Sequence, residues 1–287
     1  MPSQLPPPYR RRVGAIAVTA LSDGYFDTPV AALERIDPDA AADALRARHV
    51  PVPPRVSINA FLLRTGGRTA LIDTGAGDTM GPTLGALPRS LAAAGVAPEA
   101  VDAILLTHLH PDHSNGLVGA DGAALFPNAE VVVAEADVRF RDDDGARAAV
   151  DAVARRRYFD DARRNLAPYR DRLRDAAGEV LPGVAAVPLP GHTPGHTGYR
   201  LADGDAAVLI WGDLCHVPEI QLPDPRVGVR FDVDGAEAVR TRARTLDMVA
   251  ADGLAVAGMH LHFPGFVRVA RRGDGYEAHP EPWRYEP

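Results

Sequence analysis

One segment constrains this chain more than any other. Val101–Thr107 (VDAILLT) reads as a short apolar strand, and it runs directly into Thr107-His108-Leu109-His110-Pro111-Asp112-His113. Three histidines and an aspartate fall within six residues at a strand end. There, alternate side chains can point to one side, so His108 and His110 can share one centre while Asp112 and His113 turn towards a neighbouring one. Imidazole and carboxylate together suit Zn, Mn, Co or Fe. A chain built around such a loop must bring further ligands to the same place.

Two later segments have the same character. Gly191-His192-Thr193-Pro194-Gly195-His196-Thr197 follows the apolar stretch Val184–Leu189, and Gly258-Met259-His260-Leu261-His262-Phe263-Pro264-Gly265 follows Leu254–Ala257. Between them, Trp211-Gly212-Asp213 closes the strand-like run from Ala206. Seven of the ten histidines lie in the three clusters, a concentration that packing alone does not explain.

Other segments supply the scaffold. Val13–Ala20, Ile58–Thr65, Thr69–Asp73, Val131–Ala134, Thr197–Leu201 and Phe266–Val269 read as strands, with Gly66-Gly67 as a hairpin turn. Thr83–Ala94, Glu135 to about Arg174, and Ala236–Ala251 read as helical. Residues 21–56 read as a loop with one short helix around Ala40–Arg48. The repeated β-then-α order suggests an α/β chain with two sheets packed together and helices outside. At 287 residues, with 46% hydrophobic and 24% charged, the chain has enough apolar content for a core. No apolar run approaches ~18 residues, which excludes a membrane helix. A net charge of −7 argues against nucleic-acid binding. The run Arg155-Arg156-Arg157 reads as a solvated helix face. Residues 1–12 read as a flexible polar arm rather than a secretory signal, leaving 13–287 as one domain. The lone Cys215 reads as a core residue and suits a reducing compartment, hence the cytoplasm.

Taken together, H-x-H-x-D-H, the histidine of GHTPGHT, the Gly-Asp and the late histidine resemble the metallo-β-lactamase superfamily over nearly the whole chain. Ile72-Asp73-Thr74-Gly75 is similar to that superfamily's early strand-end motif. The resemblance implies an αββα sandwich and a site for two divalent ions, most simply Zn, with Mn, Co or Fe as alternatives. It places His108, His110 and His192 on one ion and Asp112, His113 and His260 on the other, with Asp213 bridging. Asp73 orients a ligand histidine through its other ring nitrogen, and His196 is structural.

Superfamily members that open acyl-homoserine lactones carry Tyr three residues after the bridging Asp; here that position is His216. His216-Val217 and His260-Leu261-His262-Phe263-Pro264-Gly265 resemble the methyl parathion hydrolase branch, as do Val18–Gly24 and Phe126–Ala129. That branch has Pro where this chain has His262, which brings a second imidazole beside the pocket. The implied activity is hydrolysis of a neutral ester, lactone or phosphotriester by a hydroxide bridging the ions. Asp112, Asp213 and His216 are the catalytic expectations, and Phe140, Tyr158 and Tyr169 are possible pocket walls. A small-molecule substrate and a homodimer are expected. Two other activities on the same scaffold weigh less. A mononuclear iron persulfide dioxygenase would need a thiol-peptide site, and an RNA-processing nuclease would need a basic surface.

Overall fold

The structure is a computed structural model, and it describes residues 5–283. Chain order and sheet order coincide in the first half. Strands β1 (Tyr9–Val13), β2 (Ile16–Asp27), β3 (Arg55–Thr65), β4 (Arg68–Ile72), β5 (Ala103–Leu105), β6 (Glu130–Val133) and β7 (Leu173–Asp175) lie side by side in that sequence. The first four pair antiparallel and the remainder parallel. The second sheet takes β8 (Glu179–Leu181), β9 (Val184–Pro188), β10 (Thr197–Asp203), β11 (Ala206–Ile210), β12 (Ala255–Ala257), β13 (Phe266–Arg272) and β14 (Gly275–Pro280), again in adjacent order. Only β11 and β12 are parallel there, joined by the helix Gly235–Ala251.

Alternation along the strands explains the layers. Leu63, Ala70, Ile72 and Leu105 meet Tyr199, Leu201, Val208 and Ile210 between the sheets. The intervening residues Leu62, Leu71, Ile104 and Val131 face outward, under Leu87, Leu91, Ala162 and Leu166 of the helices. On the other side Leu209, Val256 and Val267 pack against Leu246 and Val249. Both faces of each sheet are therefore covered, which is why the central strands read as continuous apolar runs. The result is the expected αββα sandwich of two mixed sheets.

Several local expectations change. The hairpin forms as expected, because Gly66 and Gly67 both adopt the positive φ that its two-residue turn requires. The expected long helix over 135–174 is broken into short pieces. Asp143 and Asp151 each accept two backbone N–H groups and start new helices, and the segment then runs through a π-turn at Arg156–Asp160. The helix expected over 83–94 is confined to Leu87–Ala93, preceded by a loop. Residues 9–12, expected in a flexible arm, belong to β1, where Arg11 meets Glu281 and Tyr9 packs against Phe266. Residues 1–4 of that arm lie outside the described residues. Strand β14 carries no strong alternation and was not expected. Among the described residues, no helix is long and apolar enough to cross a membrane.

Candidate metal centre

Five loops reach one edge of the sandwich. Asp73 follows β4, the His108–His113 loop follows β5, and His192 lies between β9 and β10. Asp213 follows β11, and His260 follows β12. A four-residue helix, Pro111–Ser114, begins immediately after His110 and carries Asp112 and His113. Asp137, fully buried, holds the second and third of these loops together by accepting the backbone N–H groups of Leu109 and Gly195, both at 2.9 Å.

The rings are oriented from behind. His113 Nδ1 lies 2.7 Å from Asp73 Oδ2, and Asp73 also accepts the Thr107 backbone N–H and hydroxyl. Asp73 itself sits at φ 59°, a conformation that costs a non-glycine residue energy and is sustained here by those three bonds. With its hydroxyl proton given to Asp73, Thr107 Oγ1 is left to accept from His108 Nδ1, 3.0 Å away. His192 Nδ1 is 2.7 Å from Asp232, and His260 Nδ1 is 3.0 Å from the Ser57 carbonyl. Each contact places the proton on Nδ1 and turns the Nε2 lone pair inward.

Those lone pairs converge on Asp213. Its carboxylate is 3.0 Å from His260 Nε2, 3.2 Å from His113 Nε2 and His192 Nε2, and 3.6 Å from His108 Nε2. Three groups have ligand atoms close enough to share an ion: His108–His110–His192–Asp213, Asp112–His113–His260, and Asp213–His216–His260. Nε2 of His108, His113 and His192 and Oδ1 of Asp213 are buried without a hydrogen-bond partner. Unsatisfied buried polar atoms are rare and costly. A set of them aimed at common points, all nitrogen and oxygen, fits divalent metal ions.

The electrostatics agree. Burial pushes His108 and His110 well below the ordinary imidazole range, leaving them neutral. At His113 burial acts the same way, but the carboxylates of Asp213, Asp112 and Asp73 outweigh it and hold the ring well above that range. Burial would raise Asp112, yet His113 and His260 bring it down to about 2. So much opposed charge in a dry space suits a centre that exchanges protons for metal.

The remaining expected residues divide. His216 is inside the centre: its Nε2 lies 3.1 Å from Asp213 Oδ2, and it stacks on His260 at 4.8 Å. His196 has both ring nitrogens engaged, Nδ1 with the Leu189 carbonyl and Nε2 with the Asp213 backbone N–H. The expectation for His262 does not hold. Its side chain pairs with Glu219 at 2.7 Å and lines a separate groove of about 680 Å³ beside β13 and β14. Leu261, the one residue between it and His260, turns into the outer core, and His262 passes the centre rather than entering it. Cys215 is buried in the outer core of the second sheet.

A cavity of about 270 Å³ opens over the centre, with His110, Asp112, His192, Asp213 and His216 on its floor. Of the three expected aromatic walls, only Tyr158 lines it. Phe140 packs on Phe159, and Tyr169 is buried with its hydroxyl donating to Leu117. Arg157 is exposed, as expected for a solvated face, and from the π-turn it also lines the cavity. Sequence reasoning missed Asp232, Asp137, Arg230, Phe26 and Phe231. Asp232 stands forty residues from the ring it orients, and no spacing rule marks such a pair.

An αββα sandwich with a buried cluster of histidines around two aspartates at its loop edge defines a metal-binding protein of that architecture. The family described as the metallo-β-lactamase superfamily matches residues 53–274, and the chain belongs to it. Its structure is similar to the hydrolase AbOPH of the β-lactamase superfamily, at TM-score 0.91 and 31% identity over 99% of this chain and 100% of that one. It is also similar in fold to AidC, a dizinc quorum-quenching lactonase, at TM-score 0.91 and 24% identity over 99% and 100%. A probable metal-dependent hydrolase from Staphylococcus aureus matches at TM-score 0.75 and 20% identity over 94% and 99%. No curated protein matches the chain in sequence.

Proposed function

We propose that this chain is a dinuclear metal-dependent hydrolase of ester bonds, acting on lactones, aryl esters or phosphotriesters. The observation that carries this reading is Asp213, one carboxylate set between two groups of imidazoles, with the inward Nε2 atoms of His108, His113 and His192 buried and without partners. His108, His110 and His192 would hold one ion and Asp112, His113 and His260 the other, with Asp213 available to both. When bound, such ions lower the pKa of water from ~15.7 towards ~7 and polarise a carbonyl or phosphoryl oxygen.

The chain's own groups do the rest. Asp213 fixes the separation of the two halves of the site. Asp112, on the cavity floor, accepts and passes on a proton, and His216 donates a hydrogen bond towards the leaving oxygen. Phe26, Tyr158 and Phe231 keep water from the bound substrate. That AbOPH is a hydrolase and AidC a lactonase supports this class. The sandwich, from β1 onward, acts as one catalytic domain, in a cytoplasmic homodimer of the methyl parathion hydrolase-like branch.

Elemental analysis of protein purified without chelator tests the proposal, followed by a panel of lactones, aryl esters and phosphotriesters. Two equivalents of Zn, Mn or Co with turnover, both lost in Asp213→Ala, is the expected result. One equivalent of iron alone, or full activity in Asp213→Ala, refutes it; iron alone redirects the search to thiol oxidation.

A further inference from the structure

Two cations at the mouth of the cavity are not used by the proposed chemistry. Arg157 comes from the π-turn that precedes β7 of the first sheet, and Arg230 follows the two-residue strand Gly228–Val229, between β11 and β12 of the second. Both line the cavity over the metal centre. Among the described residues neither forms an ion pair with a carboxylate. Neighbouring arginines do: Arg147 pairs with Asp160, Arg163 with Asp144 and Arg226 with Asp224. Arg157 reaches the Tyr158 hydroxyl instead. Arg230 lies over the Phe231 ring at 5.6 Å, and its backbone N–H is held by the Ala32 carbonyl at 2.9 Å.

Among the described residues, the acids lining this cavity are Asp112 and Asp213, and both face the imidazoles. The chain as a whole carries −7, so a net positive rim is a local departure from its general charge. Guanidinium groups suit carboxylate and phosphate oxygens because their planar fork can bond two of them at once. Apolar rings beneath those groups offer a body-binding surface between rim and floor.

We infer that the substrate of this site is anionic: an ester or lactone carrying a carboxylate or phosphate remote from the bond that is cut, with that anion held by Arg157 and Arg230. This rests on the hydrolase reading and narrows its substrates to esters and lactones that carry an anionic group. The cavity, about 270 Å³, is small for a ligand site, so the anion lies within a few bonds of the scissile ester.

Two esters of equal chain length provide the test. Mono-4-nitrophenyl glutarate ends in a carboxylate, and 4-nitrophenyl valerate ends in a methyl group. The metal-loaded enzyme is expected to favour the glutarate in kcat/KM by about tenfold at low salt, the scale of one or two charge-assisted hydrogen bonds. That ratio falls at roughly 0.5 M NaCl, where screening is nearly complete. It falls towards one in Arg157→Gln/Arg230→Gln and recovers in part in Arg157→Lys/Arg230→Lys. A wild-type ratio at or below one, or a ratio unchanged in the double Gln variant, overturns the inference. Failure to cleave either ester counts against the hydrolase reading instead. Calorimetric binding of glutaric acid mono-anilide and valeranilide then decides the anion question without turnover. Tighter binding of the mono-anilide that the double Gln variant loses supports it. Equal loss of neither, with the variant binding both anilides as the wild type does, overturns it.

Discussion

Asp232 touches no expected ligand atom, yet its removal should disturb metal binding measurably. Its side chain is 1% exposed. One oxygen lies 2.7 Å from His192 Nδ1 and the other accepts the Val229 backbone N–H at 3.2 Å. In Asp232→Ala the His192 ring keeps its neighbours, since His110 and His108 stand at 4.6 and 4.8 Å between ring centres. It therefore stays in the site. What it loses is the acceptor that fixes the proton on Nδ1 and leaves Nε2 free for a metal. Loss of such an outer partner typically weakens metal affinity ~10–100-fold, or about 1.4–2.7 kcal/mol. Asp232→Asn keeps an oxygen that can accept from Nδ1–H, so most of the affinity should return. Competition against a chromogenic chelator measures this, equivalent by equivalent. One of the two ions should leave early in Asp232→Ala while the other is retained. Wild-type affinity in Asp232→Ala, or equal loss in the Ala and Asn variants, would refute the reasoning.

Two further outcomes follow from residues that offer no ligand atom. Asp23 is fully buried and accepts backbone N–H groups from Ala76, Gly85 and Leu87, which pins the loop before Leu87. Burial raises its pKa to about 6 despite those bonds. The folded chain thus holds the proton more tightly than the unfolded one, so the associated stability is present below about pH 4 and is lost as pH rises through about 6. The change is roughly 3 kcal/mol. Urea unfolding from pH 4.5 to 7.5 should show the wild type losing stability relative to Asp23→Asn; parallel profiles would contradict this. Gly191, just before His192, has φ 128°, and a Cβ there would strike the backbone of Ala238. Gly191→Ala should cost more than about 3 kcal/mol, and a melting temperature within about 2 °C of wild type would refute it.

The sequence by itself determined the chemistry of the floor. His108, His110, Asp112 and His113 announce themselves because a short loop forces ligands for one ion to stand one or two residues apart. Their partners His192, Asp213 and His260 were legible because each follows a strand within a few residues and has a glycine one or two positions before it. The sheets were legible for a related reason: strands covered on both faces must be continuously apolar. Asp143 and Asp151 were visible but were read as part of a charged helix, although their side chains stop and restart it. Everything that acts across the chain waited for the tertiary structure. Asp232 reaches His192 and Asp137 joins the Leu109 and Gly195 loops only because the sandwich folds those segments together. His262 shows the converse, since proximity in sequence to His260 did not place it in the pocket. Arg157 and Arg230, far apart along the chain and unremarkable in composition, become one feature only at the cavity mouth. Local spacing selects which atoms can bind an ion, whereas long-range packing decides what surrounds it.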